Sequence, residues 1–134
     1  MSREYIEDLL VRNGIRPTSQ RLEIAEVLLA RPQHLSADQV LRRINRNEHV
    51  VSKATVYNTL NLLAEKGLVH EVIIDSGKVF YDSNTSMHHH IYNIDTGMLM
   101  DVDAEEMVIE NLPNLPEDTE QTGIDVIIRV KNKV

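Results

Sequence analysis

The chain has 134 residues, of which 42% are hydrophobic and 26% are charged, and its formal net charge is −7. These values are typical of one or two small globular domains and exclude a disordered chain. The sequence contains no cysteine, which excludes disulfides, thiolate zinc sites, iron–sulfur clusters and cysteine nucleophiles. No stretch approaches the ~18 apolar residues of a membrane helix, so we expect a cytoplasmic protein with no membrane partner.

The charge is divided unevenly along the chain. Residues 1–82 carry 11 basic and 11 acidic side chains, whereas residues 83–134 carry 3 and 10. Within the first part, residues 12–53 hold eight basic side chains against four acidic ones. A local basic face is therefore predicted on a chain whose overall charge argues against binding nucleic acid.

Two helices with clear stop signals are predicted at the start of the chain. Residues 5–12 have a helical apolar period that ends at Asn13-Gly14, a common helix C-terminus. Thr18 follows a proline and is a suitable N-cap for a second apolar stripe. His34 lies at the predicted end of this second helix, as an isolated imidazole.

Two further helices follow. Ser36-Ala37-Asp38-Gln39 is a capping box that opens a third helix. After a short link at residues 49–51, Ser52 can cap a fourth helix that runs to Gly67. Four short helices, of which the third and fourth are joined by a tight connection, indicate a helix-turn-helix unit.

The hydrophobic period then changes from helix to strand. Residues 68–74 and 79–82 predict two strands joined by the turn Asp75-Ser76-Gly77-Lys78, which indicates a wing beside the helices. The polar residues 83–87 suit a hinge. We therefore predict a winged-helix domain at residues 1–82.

Strands dominate the pattern after the hinge. Residues 88–94 and 98–102 predict two strands, and Asp103-Ala104-Glu105-Glu106 predicts a capping box that opens a helix to Leu112. The alternation of residues 124–130 predicts a last strand. The predicted fold class is thus α+β, with a small α/β domain at residues 88–134. About 50 residues bury little core, so we expect a second copy of the chain to cover this domain.

The fourth helix presents a face that suits a DNA major groove. At about 100° per residue, Val56, Leu60 and Leu63 face the core, and the opposite face is polar. Base reading is favoured by a small residue, Ala54, that permits close approach and by two amides, Asn58 and Asn61, that pair with adenine edges. Tyr57 can contact phosphate or a thymine methyl. The alternative is a solvated polar face. The predicted DNA-binding residues, including basic phosphate anchors, are Arg16, Arg21, Ser52, Lys53, Ala54, Thr55, Tyr57, Asn58, Asn61 and Lys78.

The triplet His88-His89-His90 is the second candidate site. In a strand, His88 and His90 point to one face and His89 points to the other, so two imidazoles can converge on one ion. Asp82 and Asp101 are candidate carboxylate ligands, and His34 is a candidate from the first domain. Such a nitrogen and oxygen set suits iron(II), manganese or zinc. The alternative is a solvated histidine cluster.

Several motifs occur in a characteristic series. They are Gly14-Ile15-Arg16-Pro17-Thr18-Ser19-Gln20-Arg21, His34-Leu35-Ser36-Ala37, Ala54-Thr55-Val56-Tyr57-Asn58-Thr59-Leu60 and the histidine triplet. In order and spacing they resemble the ferric uptake regulator family over nearly the whole chain. Residues 81–90 and 108–113 are most similar to its haem-responsive branch, the iron response regulators.

The resemblance implies a winged helix-turn-helix DNA-binding domain, a small α/β dimerisation domain and a homodimer on an inverted-repeat operator in double-stranded DNA. It also implies that Tyr57 is the family's reading tyrosine. The regulatory metal ligands that it implies are His34, Asp82, His88, His90 and Asp101. The haem ligands that the branch implies are His88, His89 and His90.

The chain departs from the family at one turn. Many members hold a structural zinc with paired Cys-x-x-Cys motifs, whereas the matching turn here is Asn93-Ile94-Asp95-Thr96. We therefore expect no structural zinc held by four cysteines, and a dimer that is held by apolar burial. The Cys-Pro haem motif of some iron response regulators is also absent.

These observations predict an iron- or haem-responsive regulator of transcription in iron homeostasis, released from DNA when haem binds the triplet. One alternative is a divalent-metal-dependent repressor of the same family, using Fe²⁺, Mn²⁺ or Zn²⁺, without haem sensing. A more remote alternative is a metal-dependent hydrolase built on the triplet. We expect no enzyme, because the sequence has no phosphate-cradling glycine pattern and its serines and acidic residues have the positions of helix caps.

Overall fold

The computed structural model describes residues 2–46 and 51–134. Most of the link predicted at residues 49–51 lies outside the described residues. The chain divides into two compact units, Met1–Thr85 (unit 1) and Ser86–Val134 (unit 2). Helices and small sheets are both present, which confirms the α+β class. Within the described ranges, no helix has both the length and the apolar character needed to cross a membrane.

The described part of unit 1 has four helices, and the last three begin at the predicted hydroxyl caps. The four helices are α1 (Arg3–Arg12), α2 (Ser19–Leu29), α3 (Ala37–Ile44) and α4 (Lys53–Glu65). The side chains of Thr18, Ser36 and Ser52 each accept the backbone N–H three residues later, which satisfies a donor that has no partner inside the helix. The inward side of α4 is fully buried in the core of unit 1, at Val56, Leu60 and Leu63.

The strands of unit 1 form one antiparallel sheet. They are β1 (His34–Ser36), β2 (His70–Asp75) and β3 (Lys78–Asp82), in the order β1-β3-β2. The predicted hairpin of β2 and β3 is confirmed, but β1 was not predicted. The expectation that His34 ends the second helix is wrong, because this residue pairs with Asp82 of β3. Three residues have too little pattern to identify a strand whose partner lies far away in the chain.

The strands of unit 2 form a mixed sheet. They are β4 (His88–Asn93), β5 (Leu99–Asp103) and β6 (Ile127–Val130), and all three were predicted with slightly different ends. Strand β4 lies in the centre, antiparallel to β5 and parallel to β6. The buried apolar residues of this unit are Tyr92, Leu99 and Val102. Unit 2 therefore has a thin core.

The helix predicted from Asp103 to Leu112 is wrong. The structure has a single 3-10 turn at Ala104–Glu106, and the Asp103 side chain accepts no capping bond from the described backbone. Met107 returns to an extended conformation, and Val108 and Leu112 are 79% and 52% exposed. A short helix is marginal unless its apolar stripe is buried, so the capping signal alone does not form one here.

Candidate metal centre and nucleic-acid interface

Strand β4 divides the histidine triplet between the two faces of its sheet. His90 lies directly opposite Asp101 of β5, and His88 is on the same face, two residues away. The Nε2 atoms of His88 and His90 lie 3.7 and 3.5 Å from Oδ1 of Asp101, and the centroids of the two rings are 4.7 Å apart. Unit 2 thus brings three of the predicted metal ligands together.

These separations suit a shared cation better than direct hydrogen bonds. An N–H···O bond has a donor–acceptor distance of about 2.7–3.2 Å. Two ligand atoms that are each about 2.1 Å from a tetrahedral ion lie about 3.4 Å apart. The imidazoles of His88 and His90 are 7% and 5% exposed, whereas the side chain of Asp101 is 43% exposed. The nitrogen donors are therefore shielded, and the carboxylate remains accessible.

A backbone carbonyl sets the tautomer of His88. Its Nδ1 lies 2.7 Å from the carbonyl oxygen of Ser86. Because a carbonyl only accepts hydrogen bonds, Nδ1 carries a proton, so that in a neutral ring the lone pair of Nε2 faces Asp101. A nitrogen lone pair and a carboxylate oxygen repel each other unless a proton or a metal ion lies between them. The local geometry is thus suited to a divalent cation.

His89 is separated from its two neighbours. It lies on the opposite face of the sheet and is 2% exposed. Its Nδ1 accepts a hydrogen bond of 3.1 Å from the backbone N–H of Val126. The structure therefore does not bring His89 together with His88 and His90, and one of its nitrogens already holds the segment that leads into β6.

Unit 1 carries a second pair of predicted ligands. His34 of β1 and Asp82 of β3 face each other in the antiparallel register, so their side chains leave the same face of the sheet. Their ligand atoms lie within 4.8 Å of one another. Asp82 is 1% exposed, and its Oδ1 accepts the backbone N–H of Asn84 at 2.9 Å. A buried carboxylate needs such donors or a cation to offset the loss of hydration.

The sheet register also identifies a neighbour that sequence reasoning missed. His70 of β2 lies opposite Asp82 on the other side of β3. Its Nε2 is 3.3 Å from the carbonyl oxygen of Thr85. Only the pairing of β2 with β3 reveals this proximity, because His70 and Asp82 are twelve residues apart along the chain.

The outer face of α4 is exposed, as predicted. Ala54, Tyr57 and Asn58 are all accessible. Lys53 lies at the start of the helix, with Nζ 5.8 Å from the centroid of the Tyr57 ring and 3.8 Å from Oδ1 of Asp38. The lysine contact restrains the aromatic ring on this face.

One of the predicted DNA-binding residues, Ser52, also caps α4. Oγ of Ser52 accepts the backbone N–H of Thr55 at 3.2 Å and lies 2.9 Å from its Oγ1. The Ser52 hydroxyl therefore defines where α4 begins, and it sets the direction in which the first turn of the helix is presented.

A cleft of about 360 Å³ lies beside α4 in unit 1. Nη1 of Arg21 donates to the carbonyl oxygen of Arg16 at 3.0 Å, which orients one guanidinium of the cleft. Two guanidinium groups near the N-terminus of α2 favour an anion such as a phosphate. Sequence reasoning missed Thr18, Gln20 and Thr59, because only the packing of α2 against α4 places them here. The lining residues are Arg16, Thr18, Gln20, Arg21, Thr55, Asn58 and Thr59.

Lys78 and Asn61, which are also predicted DNA-binding residues, do not line this cleft. Lys78 is exposed at the β2–β3 turn, paired with Asp75, and is not among the lining residues of the cleft. Oδ1 of Asn61 accepts a 2.8 Å hydrogen bond from the hydroxyl of Tyr81. Burial, with smaller effects of Glu71 and Tyr57, raises the pKa of Tyr81, so the phenol keeps its proton and donates.

Comparisons of the sequence identify relatives among bacterial regulators. The sequence profile of the ferric uptake regulator family matches residues 12–126. The ferric uptake regulation protein of Brucella abortus biovar 1 (strain 9-941) is 29% identical over 102 residues, which are 75% of this chain and 72% of that protein. The peroxide-responsive repressor PerR of Staphylococcus aureus strain Mu50 is 32% identical over 88 residues, which are 66% of this chain and 60% of that protein.

A solved structure is similar over nearly the full length. It is the ferric uptake regulator from Pseudomonas aeruginosa with manganese, with a TM-score of 0.70 and 26% sequence identity. The match covers 96% of this chain and 98% of that one. Because the family profile spans most of the sequence, the chain belongs to the ferric uptake regulator family of metal-binding, DNA-binding transcriptional regulators.

Proposed function

We propose that the chain is a metal-responsive transcriptional regulator that binds operator DNA in the cytoplasm as a homodimer. Membership of the family supports this function at the level of the whole chain. The observation that carries the metal-responsive part is the pair of Nε2 atoms, of His88 and His90, that face one oxygen of Asp101. A cation among the three side chains stabilises this arrangement.

Unit 1 is the proposed DNA-binding domain, with the β2–β3 hairpin as its wing. The exposed face of α4 enters the major groove, where Tyr57 and Asn58 contact base edges and Ala54 permits close approach. Arg16 and Arg21 hold a backbone phosphate at the neighbouring cleft. Arg16 and Arg21 line the same cleft as Asn58 of α4, which supports a division into anchoring and reading residues.

Each unit carries its own group of proposed metal ligands. His34 and Asp82 are the proposed ligands from unit 1, and His88, His90 and Asp101 are those from unit 2. Nitrogen and oxygen donors suit Fe²⁺, Mn²⁺ or Zn²⁺, and the relative from Pseudomonas aeruginosa was solved with manganese. A bound ion stabilises the arrangement of side chains in which it has its full ligand set. It therefore promotes DNA binding to the extent that this arrangement is the one that fits the operator.

A row of apolar side chains on unit 2 is the proposed dimer interface. Ile91 of β4 pairs with Met100 of β5 and with Ile128 of β6, so the three lie side by side across one face of the sheet. Met100 and Ile128 are 54% and 42% exposed. This face is opposite the one that carries His90. A second copy that covers the row would form a two-fold homodimer, the symmetry that matches an inverted-repeat operator.

Haem sensing, as in the iron response regulators, is the second candidate effector. Two adjacent imidazoles, His88 and His90, offer axial ligands, but they are also proposed metal ligands. His89 already accepts the N–H of Val126, so haem would compete with the metal for the other two. The two effectors predict opposite changes in DNA affinity, because metal raises the affinity for the operator whereas haem lowers it.

The decisive experiment measures DNA affinity as a function of metal. Operator sequences are first selected from random duplexes, and fluorescence anisotropy then follows binding of metal-free protein with Fe²⁺, Mn²⁺ or Zn²⁺ added. We expect tighter binding with metal and a loss of that effect in His90→Ala. Affinity that is indifferent to metal and to a chelator would remove the regulatory proposal. A chain that shows no salt-dependent binding to any duplex would favour the hydrolase alternative.

A further inference from the structure

A single hydrogen bond connects the sheet of unit 1 to its proposed reading helix. The hydroxyl of Tyr81, on β3, donates to Oδ1 of Asn61, on α4, over 2.8 Å. Tyr81 immediately precedes Asp82, the proposed metal ligand. Asn61 lies one helical turn after Tyr57 and Asn58, the proposed reading residues. The bond thus joins neighbours of the two functional sites within one unit.

The strand geometry places Tyr81 and Asp82 on opposite faces. Successive side chains of a strand alternate between faces, so Asp82 shares its face with His34 and Tyr81 is directed to the other. Tyr81 is 3% exposed and packs in the same core as α4. A small rotation of β3 that brings Asp82 onto an ion therefore also moves the phenol of Tyr81.

Strand β3 is well placed to transmit such a movement. It is the central strand of its sheet, and Tyr81 pairs with Leu35 of β1 on one side and with Glu71 of β2 on the other. Neighbouring strands thus restrain the backbone at this position on both sides. On α4, the buried Val56, Leu60 and Leu63 keep the helix rigid, so a force applied at Asn61 acts on the helix as a whole.

We propose that Tyr81 is a positioning residue that couples metal capture at Asp82 to the orientation of α4. This inference rests on the proposed function, because it requires a metal ion at Asp82 and DNA on α4. In the metal-bound protein, the hydroxyl of Tyr81 holds Asn61 so that Tyr57 and Asn58 point at the bases. The side-chain amide of Asn61 accepts this hydrogen bond and does not contact a base.

The test measures coupling, which a merely structural residue would not change. DNA affinity is determined with saturating Mn²⁺ and with a chelator, for wild type, Tyr81→Phe, Asn61→Ala and the double variant. Direct Mn²⁺ titration of each protein without DNA gives the metal affinity. Tyr5→Phe is the matched control, because it removes a hydroxyl from an exposed tyrosine of the same unit.

We expect Tyr81→Phe to bind Mn²⁺ as wild type does. The ratio of its DNA affinities with and without Mn²⁺ should fall about 3- to 10-fold, which corresponds to the loss of one hydrogen bond. Asn61→Ala should lower the ratio by a similar factor, and the double variant should be no worse than either single one. Tyr5→Phe should keep the wild-type ratio. If Tyr81→Phe does not fold, Asn61→Ala tests the same bond from the other partner.

Two results would overturn the inference. A wild-type ratio in both Tyr81→Phe and Asn61→Ala, with metal and DNA still bound, would show that the bond carries no coupling while the proposed function stands. Additive losses in the double variant would show that the two side chains act independently. If wild-type protein itself responds to no metal, the proposed function fails and the coupling fails with it.

Discussion

The backbone N–H of Val126 donates a 3.1 Å hydrogen bond to Nδ1 of His89, while the imidazoles on either side of His89 face a carboxylate on the opposite surface of the sheet. Three consecutive histidines therefore have two different roles. The outer two are suited to a metal ion. The middle one holds the segment before β6 against the central strand.

We expect His89→Leu to destabilise unit 2 by about 1–3 kcal/mol, because the partly buried N–H of Val126 loses its acceptor. His89→Asn, whose Oδ1 replaces Nδ1, should lose less. Thermal and urea unfolding would measure the difference, with Mn²⁺ titration at low temperature as the functional control. A Soret change on haem addition that disappears specifically in His89→Asn would instead support haem ligation by this residue.

Asp101→Asn tests the metal centre with little change in shape. The amide keeps the size of the carboxylate but removes the charge that faces two Nε2 atoms, so Mn²⁺ affinity should fall by at least about tenfold. Asp118→Asn, at an exposed position of unit 2, is the matched control. Metal competition with a fluorescent chelator would give both affinities. Equal affinities for the two variants would contradict the assignment of Asp101 as a ligand.

Anchoring and reading residues should differ in sequence dependence. Arg21→Ala should weaken binding to all duplexes alike and reduce the salt slope by about one. Asn58→Ala should instead reduce the discrimination between operator and mismatched DNA by about 1–3 kcal/mol, with little change in the salt slope. Anisotropy titrations at several salt concentrations distinguish the two patterns. A loss confined to one sequence after Arg21→Ala would contradict its role at the phosphate.

Ile128→Lys should disrupt the proposed dimer. A charge at the β6 end of the row formed by Met100, Ile91 and Ile128 cannot be buried against a second copy without a large desolvation cost. Val108→Lys, at a residue that is 79% exposed elsewhere in unit 2, is the control. Sedimentation velocity should show a monomer for Ile128→Lys and a dimer for the control. If both variants remain dimers, the dimer interface lies on another surface of the chain.

A network of side-chain hydrogen bonds ties the β4–β5 turn to the end of β6. Nδ2 of Asn93 donates to Oδ1 of Asn132 at 2.9 Å, and Oδ2 of Asp95 accepts the backbone N–H of Asn132 at 2.8 Å. Oδ1 of Asn93 also accepts the backbone N–H groups of Asp95 and Thr96. This network lies at the turn Asn93-Ile94-Asp95-Thr96, which contains no cysteine.

Asn93→Ala should therefore lower the stability of unit 2 by about 1–3 kcal/mol, since several donors and acceptors lose their partner. Asn114→Ala, in an exposed segment without regular structure, should cost little. Hydrogen exchange at the backbone of β4 and β6 would measure the effect locally. Equal protection in the two variants would show that the network does not hold the end of β6.

Local chemistry explains which elements were predictable. Thr18, Ser36 and Ser52 mark helix starts because a hydroxyl satisfies a nearby backbone N–H, an interaction that spans three residues. The helix expected after Asp103 shows the limit of this reasoning. It had the capping signal, but no apolar surface among the described residues buries its stripe.

The sequence by itself determined the capped helices, the exposed face of α4 and the alternation of the histidine triplet, because each depends on residues within a few positions of one another. Only the tertiary structure decided which distant side chains meet. Asp101 faces His90, Asp82 faces His34 and Tyr81 bonds Asn61 because strand register and core packing bring together residues that are separated along the chain. Register and packing are set by the burial of the whole unit, and no local pattern encodes them.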